Sequence, residues 1–261
     1  MQPGPRRRSV LVTGASSGIG RAAALAFGTL GDSVTLVARR EHRLQEVAEQ
    51  IERAGGHALV FSADLAARNS AEDAVDAAVK EWGRLDVIVN NAGYGVYGSI
   101  EECFPEDFER QMRVNYLAVV YGTKRALPHM RAQGSGSIIN VCSISGMLAS
   151  PLDATYCASK FAVTAFTDVL RMELAHSNIH VSMISPGYTK TEWAEAVVQR
   201  RPFSWRTRMR PLPAERVAQL IVSCADRPQR NIIVPGALQF PLWLQRLSPR
   251  LHDWRQLRFR R

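Results

Sequence analysis

Tyr156-Cys157-Ala158-Ser159-Lys160 sets a phenol and an ammonium four residues apart. On a helix that spacing puts both on one face. A free tyrosine titrates at about 10 and carries protons poorly at neutral pH. A neighbouring ammonium stabilises the phenolate, and is expected to lower that value and make the pair a usable general acid and base. Ser143 lies upstream, at the end of an apolar run, where its hydroxyl could hold a carbonyl oxygen beside the phenol. A tyrosine and lysine at this spacing also occur on plain helix surfaces, so the pair needs company to carry a function.

A glycine-rich loop, Thr13-Gly14-Ala15-Ser16-Ser17-Gly18-Ile19-Gly20, follows the apolar run Val10-Leu11-Val12 and precedes a helical pattern. Glycines there permit a tight turn, and the helix N-terminus offers free N–H groups to a pyrophosphate. The spacing is G-x-x-x-G-x-G rather than the commoner G-x-G-x-x-G of dinucleotide-binding folds. A second run ends at Ala38 and is followed by Arg39 and Arg40. An acid at that point would take a ribose 2′-hydroxyl, whereas guanidiniums suit a 2′-phosphate. The same arginines could be surface charges opening a helix. Asp64 could accept from an adenine amine or cap a helix.

The elements that must position these groups alternate. Strands are expected at 10–12, 33–37, 58–61, 85–89, 137–141, 179–184 and 232–234. Helices are expected at 18–30, 41–54, 70–82, 106–132, 154–175 and 214–225. This alternation predicts a single α/β domain of the Rossmann type, a doubly wound parallel sheet of about seven strands with helices on both faces. The strands are continuously apolar, as strands buried on both sides are. The chain divides into a basic N-terminal tail, 1–8, a core over 9–235, and a basic, amphipathic C-terminal extension, 236–261.

Further polar groups gather at the expected carboxyl ends of strands. Asn90-Asn91-Ala92-Gly93 ends the fourth, and Pro186-Gly187-Tyr188-Thr189-Lys190-Thr191 follows the sixth; Asn115 sits in the long helix. In this combination and order, over roughly residues 9–235, the chain resembles the short-chain dehydrogenase/reductase family. The resemblance implies reversible hydride transfer between a nicotinamide dinucleotide and a carbonyl/alcohol pair. Asn115, Ser143, Tyr156 and Lys160 would be catalytic: Tyr156 the proton donor, Lys160 tuning it and holding the nicotinamide ribose, Ser143 polarising the carbonyl, Asn115 anchoring a water. Gly14, Ser16, Ser17, Gly18, Ile19, Gly20, Asp64, Asn91, Ala92, Gly93, Pro186, Gly187, Thr189 and Thr191 would bind cofactor. With Arg39 and Arg40 the expected cofactor is NADP(H) in preference to NAD(H). Tyr94, Tyr97, Leu148 and Trp193 would line the substrate side. Relatives commonly form homodimers or homotetramers, and the same is expected here.

Composition sets the outer bounds. The chain has 261 residues, 46% hydrophobic and 22% charged, which suits a full core and excludes a disordered chain. Four cysteines, Cys103, Cys142, Cys157 and Cys224, form no C-x-x-C pair, so free thiols in a reducing, cytoplasmic setting are expected and no metal site is indicated. Arg6-Arg7-Arg8 before the first run mimics a secretory leader, but the glycine-rich continuation argues against one. Of the net charge of +9, residues 200–261 contribute +11, with 14 Arg, no Lys and three acids. Such an end suits an anionic partner or a solvated face. Trp193, Phe203 and Trp205 among Arg200, Arg201, Arg206, Arg208 and Arg210 suggest either an apolar substrate, an acyl thioester, or a packed lid. The tail, with Leu242, Trp243, Leu247, Leu251 and Trp254 among six Arg, could pack on its own body, on another subunit, or on an anionic membrane surface. A 3-oxoacyl thioester reductase and a dinucleotide-sensing protein are the alternatives to a carbonyl reductase. Intact Ser143, Tyr156 and Lys160 argue against the sensor, and the absence of a reading module argues against nucleic acid.

Overall fold

β1 (Ser9–Thr13) and β2 (Ser33–Ala38) are buried along their whole lengths, because each feeds two cores at once. Val10 and Val12 point into one core, and Leu11 between them points into the other. That period-two division of a wholly apolar run is the signature of a strand covered on both faces. β3 (His57–Ser62), β4 (Val87–Asn90), β5 (Gly136–Val141), β6 (Ile179–Pro186) and β7 (Ile232–Val234) complete the sheet. Its order is β7-β6-β5-β4-β1-β2-β3, parallel throughout, and the structure, a computed structural model, describes residues 7–201 and 210–258.

α1 (Gly18–Thr29), α2 (Glu41–Arg53) and, much later, α8 (Ala214–Asp226) cover one face through Phe27, Leu44, Ile51 and Ile221. α3 (Ser70–Trp82), α5 (Ala118–Gln133) and α6 (Ala154–Glu173) cover the other through Val75, Met130 and Leu170. The chain winds outward from β1 to β3 and then returns to β4 beside β1. Loops therefore diverge between β1 and β4, which opens a crevice at the strands' carboxyl ends. The expected single-domain, doubly wound sheet of seven strands is what the chain forms.

The expected helix over 106–132 is interrupted. α4 (Pro105–Met112) runs into a π turn at Arg113–Leu117 before α5 begins. Beyond β6 the chain makes two short parallel pairings, Thr189–Lys190 with Leu212–Pro213 and Val96–Tyr97 with Val198–Gln199, around one helical turn, α7 (Trp193–Ala196). These tie the long loop after β6 at both ends. After β7 a 3₁₀ turn (Gly236–Leu238) leads into α9 (Gln239–Leu247) and α10 (Pro249–Arg258). At the other terminus, Arg8 binds Asp32 at 2.8 Å and Asp226 at 2.7 Å, tying the start of β1 to the β2 and α8 side. Arg6, Phe203, Trp205, Arg206, Arg208, Arg260 and Arg261 lie outside the described residues.

Candidate active site

The glycine loop is tight because its neighbours leave no room. Gly14 sits at φ +69°, and a Cβ on it would stand 2.8 Å from Asn91 Nδ2; one on Gly20 would overlap the Gly14 carbonyl. Thr13 locks this corner. Its hydroxyl accepts from the N–H groups of Asn91 (2.9 Å) and Ala92 (3.0 Å), and the Asn91 side chain donates to the Thr13 carbonyl at 2.9 Å. The ends of β1 and β4 are thereby joined. Ser17 stands at the N-cap of α1, and the first turn of that helix holds no acidic residue. A backbone cradle facing a helix N-terminus without a competing carboxylate fits a dinucleotide pyrophosphate.

Beside it a single cleft is lined by Ile19, Asn91, Gly93, Ser143, Tyr156, Lys160, Pro186, Gly187, Thr189, Thr191 and Trp193. Ser143 follows β5, and Tyr156 and Lys160 lie on the first turns of α6, so strand end and helix face meet as the spacing requires. The Tyr156 phenol is hydrogen-bonded by Ser143. Lys160 Nζ donates to the Val141 carbonyl at 3.0 Å and lies 5.8 Å from the Tyr156 ring centre. All three side chains are buried. One expectation is reversed: burial raises the Tyr156 pKa above the ordinary phenol value, and the Ser143 hydrogen bond offsets this only in part. Burial likewise lowers the Lys160 ammonium. In the protein alone, desolvation outweighs any help the ammonium gives the phenolate.

Asn115 reaches this cluster from the π turn. It is fully buried, accepts from the Tyr94 N–H at 3.0 Å, and donates to the Tyr94 carbonyl (2.9 Å) and Ser159 Oγ (3.0 Å). Ser159 in turn donates to the Tyr156 carbonyl at 2.8 Å. Asn115 therefore links the loop after β4 to α6. Gln111, one turn earlier, also donates to the Tyr94 carbonyl, at 2.9 Å. π bulges recur at functional sites because they re-aim one side chain.

Arg40 crosses from the end of β2 to the glycine loop, donating to Ser16 Oγ at 3.2 and 3.3 Å, and pairs with Glu192 at 3.0 Å. Arg39 is exposed beside it. Asp64 accepts from the Ala66 N–H and from Arg110 at 2.7 Å. Burial acts to raise its carboxyl, but those two donors outweigh burial and hold it below the usual range. Thr189 donates to the Gly187 carbonyl, and Thr191 accepts from the Trp193 N–H.

Of the four expected substrate-side residues, the structure brings Trp193 to the cleft, its ring centre 5.3 Å from that of Tyr156. Tyr97 and Leu148 are buried and are not among the cleft-lining residues; Tyr97 belongs to a short strand, and Leu148 packs near Cys157. Tyr94 lies half-buried near Arg110, and burial raises its phenol. Arg200 forms a two-point pair with Asp107 (2.8 and 2.6 Å), and Arg201 reaches Glu102 at 3.5 Å. Cys142 also lines the cleft, and the four cysteines are buried and not joined in disulfides. Among the described residues no cluster of metal-binding side chains occurs.

Two sets of residues escaped sequence reasoning. Asn90, Asn140, Thr123 and Thr167 form a buried hydrogen-bond chain, with Asn90 to Asn140 and Asn140 to Thr167 both at 2.8 Å. It fastens α5 and α6 to the ends of β4 and β5. The available signal was an amide inside an apolar run, Ile138-Ile139-Asn140-Val141. The Asp107–Arg200 pair had none, since 93 positions separate its members.

Comparison with known proteins agrees with this geometry. The family described as short chain dehydrogenase matches residues 8–202. An uncharacterized oxidoreductase of Bacillus subtilis, YxnA, is 32% identical over 250 residues, covering 94% of this chain and 70% of its own. A short-chain dehydrogenase/reductase from Burkholderia phymatum, solved with NAD, superposes with a TM-score of 0.85 at 26% identity over 94% of this chain and 95% of its own. A 3-ketoacyl-ACP reductase from Sinorhizobium meliloti superposes at 0.77 with 30% identity, covering 88% and 98%.

Proposed function

Because the chain belongs to the short-chain dehydrogenase family, we propose that it is an NADP(H)-dependent oxidoreductase interconverting a carbonyl and a secondary alcohol in the cleft around Tyr156. The observation that carries this reading is the meeting of Ser143, Tyr156 and Lys160 beside the glycine cradle. A nicotinamide dinucleotide held there supplies or accepts the hydride.

The chain's own groups handle orientation and the proton. Gly14, Gly18 and Gly20, with Ser17 and Ile19 at the start of α1, hold the pyrophosphate. Asn91, Ala92 and Gly93 form the opposite wall. Pro186, Gly187, Thr189 and Thr191 bound the nicotinamide side, and Lys160 holds its ribose. Ser143 polarises the substrate oxygen, and Tyr156 Oη delivers the proton to it. The raised phenol pKa keeps that proton in place at neutral pH. Asn115 positions the helix through Ser159. Arg40, braced by Ser16, and exposed Arg39 are the groups for a 2′-phosphate, and β2 ends in Ala38 with no acid to favour a free ribose.

A 3-oxoacyl thioester as substrate is favoured by the Sinorhizobium meliloti relative. Against it, Arg200 and Arg201 are paired with Asp107 and Glu102 rather than open to an anionic carrier. Self-association is supported by Phe161, Val169 and Met172, which stand exposed on α6. The test of function is NADPH oxidation, followed by nicotinamide absorbance over ketones, aldehydes, steroids and 3-oxoacyl thioesters, with NADH in parallel. Turnover with one class and faster reaction with NADPH is expected; binding without turnover on every class would overturn the reading.

A further inference from the structure

The hairpin of α9 and α10 has an inverted surface. Among the described residues its one buried residue is polar: His252 is 5% exposed, with Gln256 Nε2 3.4 Å from its Nε2, and Gln245 Oε1 is buried without a hydrogen-bond partner. Leu242 and Leu244 are half-buried. Its other large apolar side chains are outside. Phe240, Trp243 and Leu247 share one side of α9 at 65%, 66% and 72% exposure, and Leu251, Trp254 and Leu257 are exposed on α10. These are six of the thirteen large apolar side chains that the described residues expose, and they include both exposed tryptophans. Scattered surface leucines need no explanation, but six large apolar side chains exposed on two adjacent helices do.

Charge identifies what covers it. The two helices carry Arg246, Arg250, Arg255 and Arg258 against a single acid, Asp253. The Arg255 guanidinium lies 6.0 Å from the Phe240 ring, so cation and aromatic share one surface. A second copy docking here by two-fold symmetry would set arginine-rich surface against arginine-rich surface. A nucleic acid would satisfy the arginines and leave tryptophan and leucine in water. The headgroup region of an anionic bilayer accepts both: aromatic and aliphatic groups at the acyl boundary, guanidiniums at lipid phosphates. No helix of the described residues is long and apolar enough to cross a membrane, so the hairpin fits the surface and not the span.

We propose that α9 and α10 dock this protein on the surface of an anionic lipid bilayer, with Trp243 and its apolar neighbours entering the headgroup region. The hairpin is rooted beside the candidate cleft. Leu238, just ahead of α9, is buried so close to Gly187 that a Cβ there would stand 2.7 Å from it. Docking therefore brings the Pro186-Gly187 side of the cleft to the bilayer.

The test is co-sedimentation of the full chain with vesicles of phosphatidylcholine alone or mixed with phosphatidylserine, and it needs no turnover. The expected result is binding to the mixed vesicles at least roughly tenfold tighter than to phosphatidylcholine, weakened by high salt, with a blue shift of tryptophan emission. Trp243→Ser with Leu247→Ser should cut binding to mixed vesicles roughly tenfold, and Arg246→Gln with Arg250→Gln should remove the preference for phosphatidylserine. Dinucleotide binding by both variants, read from nicotinamide fluorescence, controls for folding. Equal binding to the two vesicle types, no binding to either, or unaltered binding by the variants would overturn the proposal. So would light scattering in which Trp243→Ser with Leu247→Ser turns an oligomer into a monomer without changing vesicle binding.

Discussion

Arg40 and Glu192 are separated by 152 positions and meet at 3.0 Å, guanidinium to carboxylate, with Ser16 of the glycine loop on the same guanidinium. The pair links the end of β2 to the loop after β6. Both side chains are close to half exposed, so the bond itself adds little stability, about 0.2–1 kcal/mol. On the proposed NADP(H) reading, a 2′-phosphate and Glu192 would compete for one cation. Arg40→Ala should weaken NADPH by a contact of about 1.5–3 kcal/mol, less some screening, and leave NADH nearly unchanged. Glu192→Gln should tighten NADPH a few-fold. Fluorescence titration of both dinucleotides checks this, and an unchanged NADPH/NADH ratio in Arg40→Ala would remove the 2′-phosphate assignment.

In the proposed reaction Tyr156 would couple direction to pH. Burial raises its pKa above the usual phenol value, so the proton is present throughout the neutral range. Carbonyl reduction, which needs that proton, should be flat through neutral pH. Alcohol oxidation, which needs the phenolate, should rise as pH rises. Tyr156→Phe should lower both by about 10²–10⁴ while dinucleotide binding persists. Rates in both directions across pH are the measurement; oxidation fastest in acid would contradict the assignment.

Asp107 should make stability depend on acid pH. The Arg200 guanidinium, with the Phe104 N–H, holds its carboxyl below the usual range. A carboxylate whose folded pKa lies below its unfolded value of about 3.9 stabilises fully above that value, and the contribution disappears as pH falls through the folded one. Asp107→Asn should lower Tm by a few degrees at pH 7 and flatten the loss of stability in acid. Thermal unfolding at neutral pH and below pH ~4 reads both effects.

Asn140 should be costly to truncate. Asn140→Ala takes one buried partner from the Asn90 amide and one from the Thr167 hydroxyl, which keep only Thr123 and Val163, at a cost of about 1–3 kcal/mol. Urea unfolding should show that loss with an unchanged m-value, and a neutral substitution would mean that the chain of amides is not coupled to stability.

Local pattern carried most of the architecture. Ile232 to Val234 is a strand as expected, and the remaining strand boundaries move by about two residues or fewer, because each strand is an apolar run bounded by turn residues. Tyr156, Lys160 and Ser143 were legible because a helix face and a strand end are local facts. The π turn was not. Arg113 to Leu117 has an ordinary helical pattern, and what accompanies the slipped ladder is the grip of Asn115 on Tyr94. That Tyr97 and Leu148 are buried outside the cleft lining was not legible for a related reason, since an apolar side chain near the site looks the same in sequence whether it faces the cleft or supports it. Arg200 looked available to an anion because Asp107, its partner, is distant in sequence.

Thr13 and Asn91 stand 78 positions apart, yet their hydrogen bonds close one wall of the glycine cradle on the other. The walls meet only through the pairing of β1 with β4. The groove is therefore a product of tertiary assembly, absent until β4 has docked on β1. A dinucleotide that binds only the finished groove adds its binding energy to the native state alone. Cofactor supply in the cell would then set how much of this protein survives as well as how fast it works.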